Sequence, residues 1–167
     1  IQQFLQIFAA QHKAVTLLEN EHNLGFVATV NRGMSLNPTH DVILLNSDTE
    51  VANDWLDRIS AAAYSDERIG TVTPFSTNAT ICSFPVFCKS NPMPNNWPLG
   101  ELDSLFAEVN AGQVVDIPTA VGFCQYIKRD CLAQIGLFDV KRFGKGYGEE
   151  NDFCRRAARE GWRHVLG

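Results

Sequence analysis

Two oxygen-bearing side chains, Asn46 and Asp48, stand directly after a run of four apolar residues, Val42 to Leu45. The apolar run predicts a strand buried on both faces, which is typical of a parallel sheet. Polar residues at the carboxyl end of such a strand lie where open α/β sheets bind ligands. Residues two apart on an extended chain point to the same side. Asn46 and Asp48 together therefore predict a site for a hard divalent cation that shares its ligands with phosphate.

The same segment has a plainer interpretation. Asp and Asn favour turns because their side chains bond to nearby backbone groups. Taken alone, Asp48 is more often the start of a turn and the cap of a following helix than a metal ligand. The choice between the two interpretations depends on what the rest of the chain places beside it.

A second group of carboxylates, Glu149, Glu150 and Asp152, stands in the first turn of a predicted helix. Acidic residues are favoured there in any helix, because of the macrodipole and the unpaired amides. Here they follow residues 143–148, which we call the glycine-rich loop and interpret as a mobile hinge. Three like charges within one turn raise one another's pKa values, and a carboxylate whose pKa approaches neutrality is a usable general base.

The spacing of apolar residues predicts the elements that position both groups. Strands that alternate with helices imply an α/β fold with a mostly parallel sheet flanked by helices. Asn53 is predicted to cap the helix that follows the Asp48 segment. The predicted helices are 1–12, 25–34, 53–64, 99–111, 129–136 and 149–160, the predicted strands are 14–18, 41–45, 69–75, 114–117 and 121–127, and residues 76–98 form a long loop.

Composition limits the class of protein. The 167 residues are 45% hydrophobic and 20% charged, which is ordinary for one soluble globular domain. A net charge of -5 without a Lys/Arg run argues against nucleic-acid binding. Five cysteines without a Cys-x-x-Cys pair predict buried, reduced thiols in a cytosolic protein. The chain opens within a predicted helix and closes as a strand begins, so we expect it to be part of a longer protein.

Four segments, in order along the chain, resemble the inverting glycosyltransferases of family 2, which have the GT-A fold. The Asn46 to Asp48 segment resembles that family's Asp-x-Asp strand end, with Asn in place of the first Asp. The Glu149 to Asp152 segment resembles its Glu-Asp-x-Asp motif, with Glu150 where Asp is common. Within that family, the segments resemble in particular the bacterial rhamnosyltransferase-like members, which act in polysaccharide biosynthesis. The four segments are residues 23–33, 44–51, 121–139 and 148–156.

This resemblance implies transfer of a sugar, with inversion, from a nucleotide-diphosphate sugar to a hydroxyl of a saccharide or lipid-linked acceptor. It implies that Asp48 holds Mg²⁺ or Mn²⁺ against the diphosphate. It also implies that Glu150 is the catalytic base, flanked by Glu149 and Asp152. The residues implied at the nucleotide sugar are Asn23, Gly25, Asn31, Asn46 and Asp48, and those implied at the acceptor are Gly122 and Phe123.

The resemblance also implies an organisation for the chain. Residues 1–167 would be a single GT-A domain, truncated at both ends with the first strand missing. Residues 1–75 would be its nucleotide-sugar half and residues 76–167 its acceptor and catalytic half. We expect a cytoplasmic location, at the inner face of the membrane through other parts of the parent protein.

Two other functions stay open at the level of sequence. One is a non-catalytic GT-A-like module that binds a nucleotide or scaffolds a larger synthase. Asn46 in place of the first Asp, and Glu150 where Asp is common, are compatible with this function. The other is a nucleotidyltransferase, which shares the architecture and a metal-binding carboxylate.

Overall fold

A computed structural model describes residues 1–167, apart from the side chain of Asn95. Two short 3-10 turns, Thr80–Cys82 and Pro94–Asn96, lie within the long loop. The other elements, in chain order, are α1 (Gln2–Gln11), α2 (Gly25–Met34), β1 (Val42–Leu45), α3 (Trp55–Tyr64), β2 (Ile69–Thr73), α4 (Leu99–Val109), β3 (Val115–Asp116), β4 (Cys124–Ile127), α5 (Arg129–Ile135), α6 (Val140–Phe143), α7 (Glu149–Arg159) and β5 (Arg163–Leu166). Helices and strands alternate from α2 to β3, as the periodicity predicted, whereas α1 is followed directly by α2, β3 by β4, and α5 by α6 and α7.

The five strands form one mixed sheet in the order β1-β4-β2-β5-β3. Strand β4 is antiparallel to both β1 and β2, β2 is parallel to β5, and β3 is antiparallel to β5. The α/β class is confirmed, but the prediction of a mostly parallel sheet is wrong. Periodicity reports which residues are buried and not the direction of a strand. After residue 123 the chain runs back along the sheet as β4, which lies between β1 and β2, two strands that are consecutive in sequence.

Two apolar layers cover the two faces of this sheet. In β4 the side chains alternate, so that Ile127 joins one layer and Tyr126 the other. The first layer packs α2, α5 and α7 on the sheet, with Val27, Leu132 and Phe153 among its buried residues. Because one side of α7 is buried in this layer, the acidic first turn of α7 is fixed relative to the sheet.

Several predicted details differ from the structure. Residues 14–18 form no strand, and none of the residues of α1 is buried. Strand β1 is half-buried rather than buried on both faces. Asn53 does not cap α3, which begins at Trp55, because its side chain donates instead to Gly100 O (3.0 Å) and Asp103 Oδ2 (2.6 Å) at the start of α4. The backbone of Asn53 has a φ of 51°, a left-handed conformation that Asn tolerates.

All five cysteines are free thiols, as predicted, and four of them are buried, whereas Cys88 is exposed. Burial raises the pKa of Cys124 to about 11 and that of Cys131 to about 12. These thiols are therefore protonated near neutral pH, and they pack as small apolar side chains. Among the described helices, none has the length and apolar character needed to cross a membrane.

Asp41 ties the start of β1 to β4 and α3. Its carboxylate accepts hydrogen bonds from the hydroxyl of Tyr126, from the hydroxyl of Tyr64 (2.8 Å) and from the backbone N–H of Arg129 (2.7 Å). Burial acts to raise the pKa of Asp41, but these hydrogen bonds outweigh it and hold the pKa below the ordinary value of 3.8. The ionised form of Asp41 is therefore the form that stabilises the fold.

We expect Asp41→Ala to lower the free energy of unfolding by about 2 kcal/mol near neutral pH, since hydrogen bonds to charged groups contribute about 1.5–3 kcal/mol. A group whose pKa is lower in the folded state stabilises fully above its unfolded pKa and loses that contribution as the pH falls through its folded pKa. Urea unfolding from about pH 7 to about pH 3 should therefore show a shrinking difference from wild type at the acid end. The exposed Asp57→Ala should stay within about 0.5 kcal/mol. A difference for Asp41→Ala that is constant with pH would contradict this assignment.

Candidate functional site

The chain turns sharply at the end of β1. The backbone N–H of Thr49 donates to Asn46 O (3.1 Å), which closes a β-turn over residues 46–49. Asn46 and Asp48 therefore do not lie on an extended segment, and the argument from their alternate spacing is wrong. A turn is present, as the plainer interpretation held, but it begins at Asn46 rather than at Asp48, and Asp48 caps no helix because α3 begins only at Trp55.

This turn forms one wall of a cavity of about 770 Å³, which we call the main cleft. Asn46, Asp48, Thr49 and Glu50 line that wall, and the carboxylates of Asp48 and Glu50 are exposed. The cleft extends from the ends of β1, β2 and β5 to the side of α4. The turn thus places its oxygen atoms at the edge of the sheet where α/β folds bind ligands.

The sequence did not predict the wall of the main cleft that faces α4. Three phenylalanines pack edge to face there, with ring centroids 5.1 Å apart for Phe75 and Phe106, and 4.8 Å apart for Phe84 and Phe106. Arg58 of α3 donates to both carboxylate oxygens of Asp103 in α4, at 2.8 and 2.7 Å. The only signal in the sequence was the phenylalanine content of segments assigned to a loop and to an ordinary helix.

The main cleft offers hard oxygen ligands, but few of them. The carboxylates of Asp48 and Glu50 and the amide of Asn46 are such ligands, whereas the part of the chain that the structure describes contains no cluster of three or more His, Cys, Asp or Glu side chains placed to hold an ion. Mg²⁺ is usually bound by one or two carboxylates together with substrate phosphates and water. A divalent ion held by these residues would therefore need a bound diphosphate and water to complete its coordination.

The segment Gly122–Phe123 connects this turn to the acidic start of α7. The carbonyl oxygen of Phe123 accepts hydrogen bonds from Asn46 N (2.9 Å) and Thr49 Oγ1 (3.4 Å). On the preceding residue, a Cβ atom built on Gly122 would lie only 2.8 Å from Glu150 Oε1. Glu150 therefore approaches the backbone at Gly122 as closely as it does because that residue has no side chain. The structure thus places the Asn46–Thr49 turn and Glu150, at the acidic start of α7, in contact with the same short segment, Gly122–Phe123.

The three carboxylates of α7 have different surroundings. Glu149 is buried, with 3% of its surface exposed, and burial raises its pKa; hydrogen bonds from backbone amides oppose that effect, and the neighbouring Glu150 charge adds to it. Asp152 accepts from Arg156 Nε (2.8 Å), on the side of α7 away from Gly122. Glu150 is half-buried and is the one that contacts Gly122. Neither Glu149 nor Glu150 lines the main cleft, whose wall ends at Phe123.

Neither Asn23 nor Gly25 lines the main cleft, and Gly25 packs instead against the glycine-rich loop. Asn23 Oδ1 accepts from Gly25 N (2.9 Å), and Gly25 has a φ of 78°. A Cβ atom at Gly25 would lie 3.1 Å from both Gly144 O and Lys145 Cα, so the start of α2 packs closely on that loop. Glycine fits this position because it has neither a Cβ nor a penalty for the positive φ.

Asn31 is buried in α2 and bonds to the loop before α6. Its Nδ2 donates to Phe138 O (2.8 Å), and its Oδ1 accepts from Phe138 N (3.1 Å). The two hydrogen bonds join α2 to a residue 107 positions along the chain. The amide of Asn31 is therefore occupied within the protein and holds α2 next to the segment that leads to α7.

No protein-family model matches the chain, and no curated protein matches it. Among solved structures, the chain is similar to GalNAc-T7 with UDP, GalNAc and Mn²⁺, a GT-A glycosyltransferase. The TM-score is 0.66 at 14% sequence identity, over 98% of this chain and 33% of that chain. The chain thus spans about a third of the length of that protein. Similarity at this low identity concerns the fold, and the fold of the chain is of the GT-A type, as the motifs predicted.

Proposed function

We propose that this chain carries the donor site and the catalytic base of a glycosyltransferase. It would transfer a sugar, with inversion, from a nucleotide-diphosphate sugar to a hydroxyl of a saccharide or lipid-linked acceptor. The observation that carries the proposal is the contact of Gly122–Phe123 with both the Asn46–Thr49 turn and Glu150. The GT-A type of fold and the size of the main cleft support it. On the motif resemblance, we assign the chain to family 2 and to bacterial polysaccharide synthesis in the cytoplasm.

The reaction that fits these positions is a single displacement at the anomeric carbon. The acceptor hydroxyl oxygen forms a bond to that carbon, while the bond from the carbon to the diphosphate oxygen breaks. The hydroxyl proton passes to the carboxylate of Glu150, and the electron pair of the broken bond leaves with the diphosphate. Gly122 and Phe123 would lie at the acceptor, between the base and the main cleft.

The other predicted site residues take supporting roles in this proposal. Asp48, with Asn46 beside it, would hold Mg²⁺ or Mn²⁺, which when bound would neutralise charge on the leaving diphosphate. Gly25 would act at the nucleotide through the glycine-rich loop that it contacts, Asn23 would act by holding the backbone of Gly25, and Asn31 would act indirectly by positioning α2. Glu149 and Asp152 would flank the base, Glu149 from the interior and Asp152 by orienting Arg156.

We expect Asp48→Ala to weaken Mn²⁺-dependent binding of UDP by at least about 10–100-fold, because that is the loss when only an outer-shell partner of a ligand is removed, and Asp48 is proposed as a ligand itself. The probe is UDP, titrated calorimetrically with Mn²⁺ and again with EDTA. The wild-type protein should lose its affinity in EDTA, whereas the variant should bind weakly under both conditions. Asp57→Ala, an exposed aspartate of α3 outside the main cleft, is the matched control and should bind UDP as wild type does. Equal UDP affinity for wild type and Asp48→Ala would remove Asp48 from the donor site.

A second candidate function is a non-catalytic GT-A-like module that binds a nucleotide or scaffolds a larger synthase. The sparse set of charged ligands in the described main cleft, with an amide at Asn46, favours it. A panel of nucleotide sugars, assayed with and without Mn²⁺ on the protein at its full natural length, distinguishes the two functions. Release of nucleoside diphosphate that depends on an acceptor indicates the enzyme, and nucleotide binding without release indicates the module.

A further inference from the structure

A second cavity, of about 270 Å³, lies between α6 and α7. We call it the arginine pocket, because Arg142, Arg155, Arg156 and Arg159 line it, together with Phe143 and Asp152. Residues 152, 155, 156 and 159 share one face of α7 by helical spacing. The buried face of α7, with Phe153, Cys154 and Ala157, is the opposite one. The arginine pocket is therefore separate from the main cleft and from the contact between Glu150 and Gly122.

The charge of the arginine pocket is opposite to that of the whole chain. The chain has 14 Lys and Arg against 19 Asp and Glu, a net charge of -5. Four of those 14 cations line this one cavity, and Asp152 is the single acidic residue among its lining residues, so the excess is 4 − 1, or three positive charges. Like charges held this close together repel one another. A bound anion would relieve that repulsion.

The four guanidinium groups are not equally engaged within the protein. Arg156 donates to Asp152 (2.8 Å) and to the carbonyl oxygens of Ile135 (2.7 Å) and Leu137 (3.0 Å), so its place is structural. Arg142 reaches Asp152 at 3.5 Å, and its guanidinium lies 5.5 Å from the ring centroid of Phe143.

Arg155 and Arg159 are exposed, and neither pairs with an acidic side chain among the residues that the structure describes. Two arginines one helical turn apart thus face the arginine pocket with free donors, beside Arg142, which is 69% exposed.

We propose that the arginine pocket binds a phosphoryl group, as a phosphate or a diphosphate. Guanidinium groups bind phosphate oxygens through two parallel N–H···O bonds, and these charge-assisted bonds are about twice as strong as neutral ones. A phosphate monoester carries a charge of about −1.5 to −2, which three excess positive charges can neutralise. The volume of the cavity admits a phosphoryl group but not a folded polypeptide. The group can belong to a soluble molecule or to a lipid head group, and both present the same chemistry.

Occupation of the arginine pocket would affect the acidic start of α7. The cavity has α6 on one side and α7 on the other, and Gly148 at its edge precedes Glu149 directly. A phosphoryl group held by Arg142 and Arg155 would bridge the two helices. It would thereby restrict the glycine-rich loop between them, on which the start of α2 also packs.

The test is calorimetric titration of pyrophosphate at low salt, with EDTA present so that a metal-dependent site in the main cleft does not contribute. Wild-type protein should bind pyrophosphate with an affinity that falls as salt is added. The double variant Arg155→Ala/Arg159→Ala should lose at least about tenfold in affinity, because two charge-assisted contacts are removed. Both residues are exposed, so the variant should fold, which circular dichroism checks. In a parallel arm, vesicles of phosphatidylcholine with phosphatidic acid are compared with phosphatidylcholine alone.

Two controls separate the arginine pocket from general charge and from the main cleft. Arg68→Ala removes an exposed arginine that does not line the pocket, and Asp48→Ala alters the main cleft; both should bind pyrophosphate as wild type does. Wild-type binding only to phosphatidic-acid vesicles, lost in the double variant, supports the proposal with a lipid source. The proposal is overturned if wild type binds neither probe, if the double variant binds as wild type, or if Arg68→Ala loses as much affinity.

Discussion

Replacing Glu150 with Gln should lower kcat for sugar transfer by about 10²–10⁴-fold, the usual contribution of a positioned general base. The amide of Gln keeps the shape of the side chain next to Gly122 but does not accept a proton at neutral pH. The KM for the donor should change little, because Glu150 lies outside the wall of the main cleft. Initial rates of nucleoside diphosphate release, on the protein at its full natural length, measure both constants.

The matched control for Glu150→Gln is Glu160→Gln, an exposed glutamate at the opposite end of α7. It removes the same charge from the residue that follows the last turn of α7, without touching the Gly122 segment, and it should leave kcat unchanged. The variant Glu150→Asp keeps a carboxylate on a shorter side chain and should fall between Gln and wild type. Transfer by Glu150→Gln at the wild-type rate would show that another group takes the proton.

Glu150 is a better candidate for the base than Glu149 because of where their carboxyl groups lie. Glu149 is almost wholly buried, and its Oε2 has no hydrogen-bond partner among the described residues. Its raised pKa reflects removal from water, and a buried carboxyl group cannot meet an acceptor that enters from solvent. Glu150 is half-buried and lies against the backbone segment that also contacts the Asp48 turn.

The sequence predicted the helices and strands well where the apolar spacing was regular. The bounds of α2 match the prediction, and α7 begins at the predicted residue. The predicted strand at residues 14–18 is wrong, because a short apolar run does not distinguish a strand from a segment of coil, and here only Leu17 and Leu18 are half-buried. The sequence could not predict the exposure of α1 either, since an amphipathic pattern identifies an apolar face but not what covers it.

The components of the candidate site were visible in sequence, but their arrangement was not. Asn46, Asp48 and Glu150 were selected by residue type and motif, and the structure places their two segments on either side of Gly122–Phe123. That arrangement depends on the insertion of β4 between β1 and β2, a long-range pairing that no local pattern encodes. The aromatic wall formed by Phe75, Phe84 and Phe106 depends in the same way on the packing of a loop against α4.

Replacing Gly122 with Ala should lower kcat by about 10²-fold, because a displacement of about 1 Å at a catalytic group can cost that much. The new Cβ would lie 2.8 Å from Glu150 Oε1, closer than such contacts allow, so the carboxylate must move. The φ of Gly122 lies outside the left-handed region, and the atom displaced is the end of a flexible side chain. The free energy of unfolding should therefore change little, which separates an effect on catalysis from one on folding.

A double-mutant cycle makes this prediction specific to the contact between Gly122 and Glu150. In a Glu150→Asp background the shorter carboxylate leaves room for the Cβ atom, so Gly122→Ala should cost less there than in the wild type, with a measurable coupling energy. The control is Gly33→Ala in α2, where a Cβ atom would meet nothing within 4 Å. It should leave kcat unchanged and stabilise the helix by about 0.5–1 kcal/mol. Equal losses from Gly122→Ala in both backgrounds would mean that Gly122 acts on transfer by some route other than the position of Glu150.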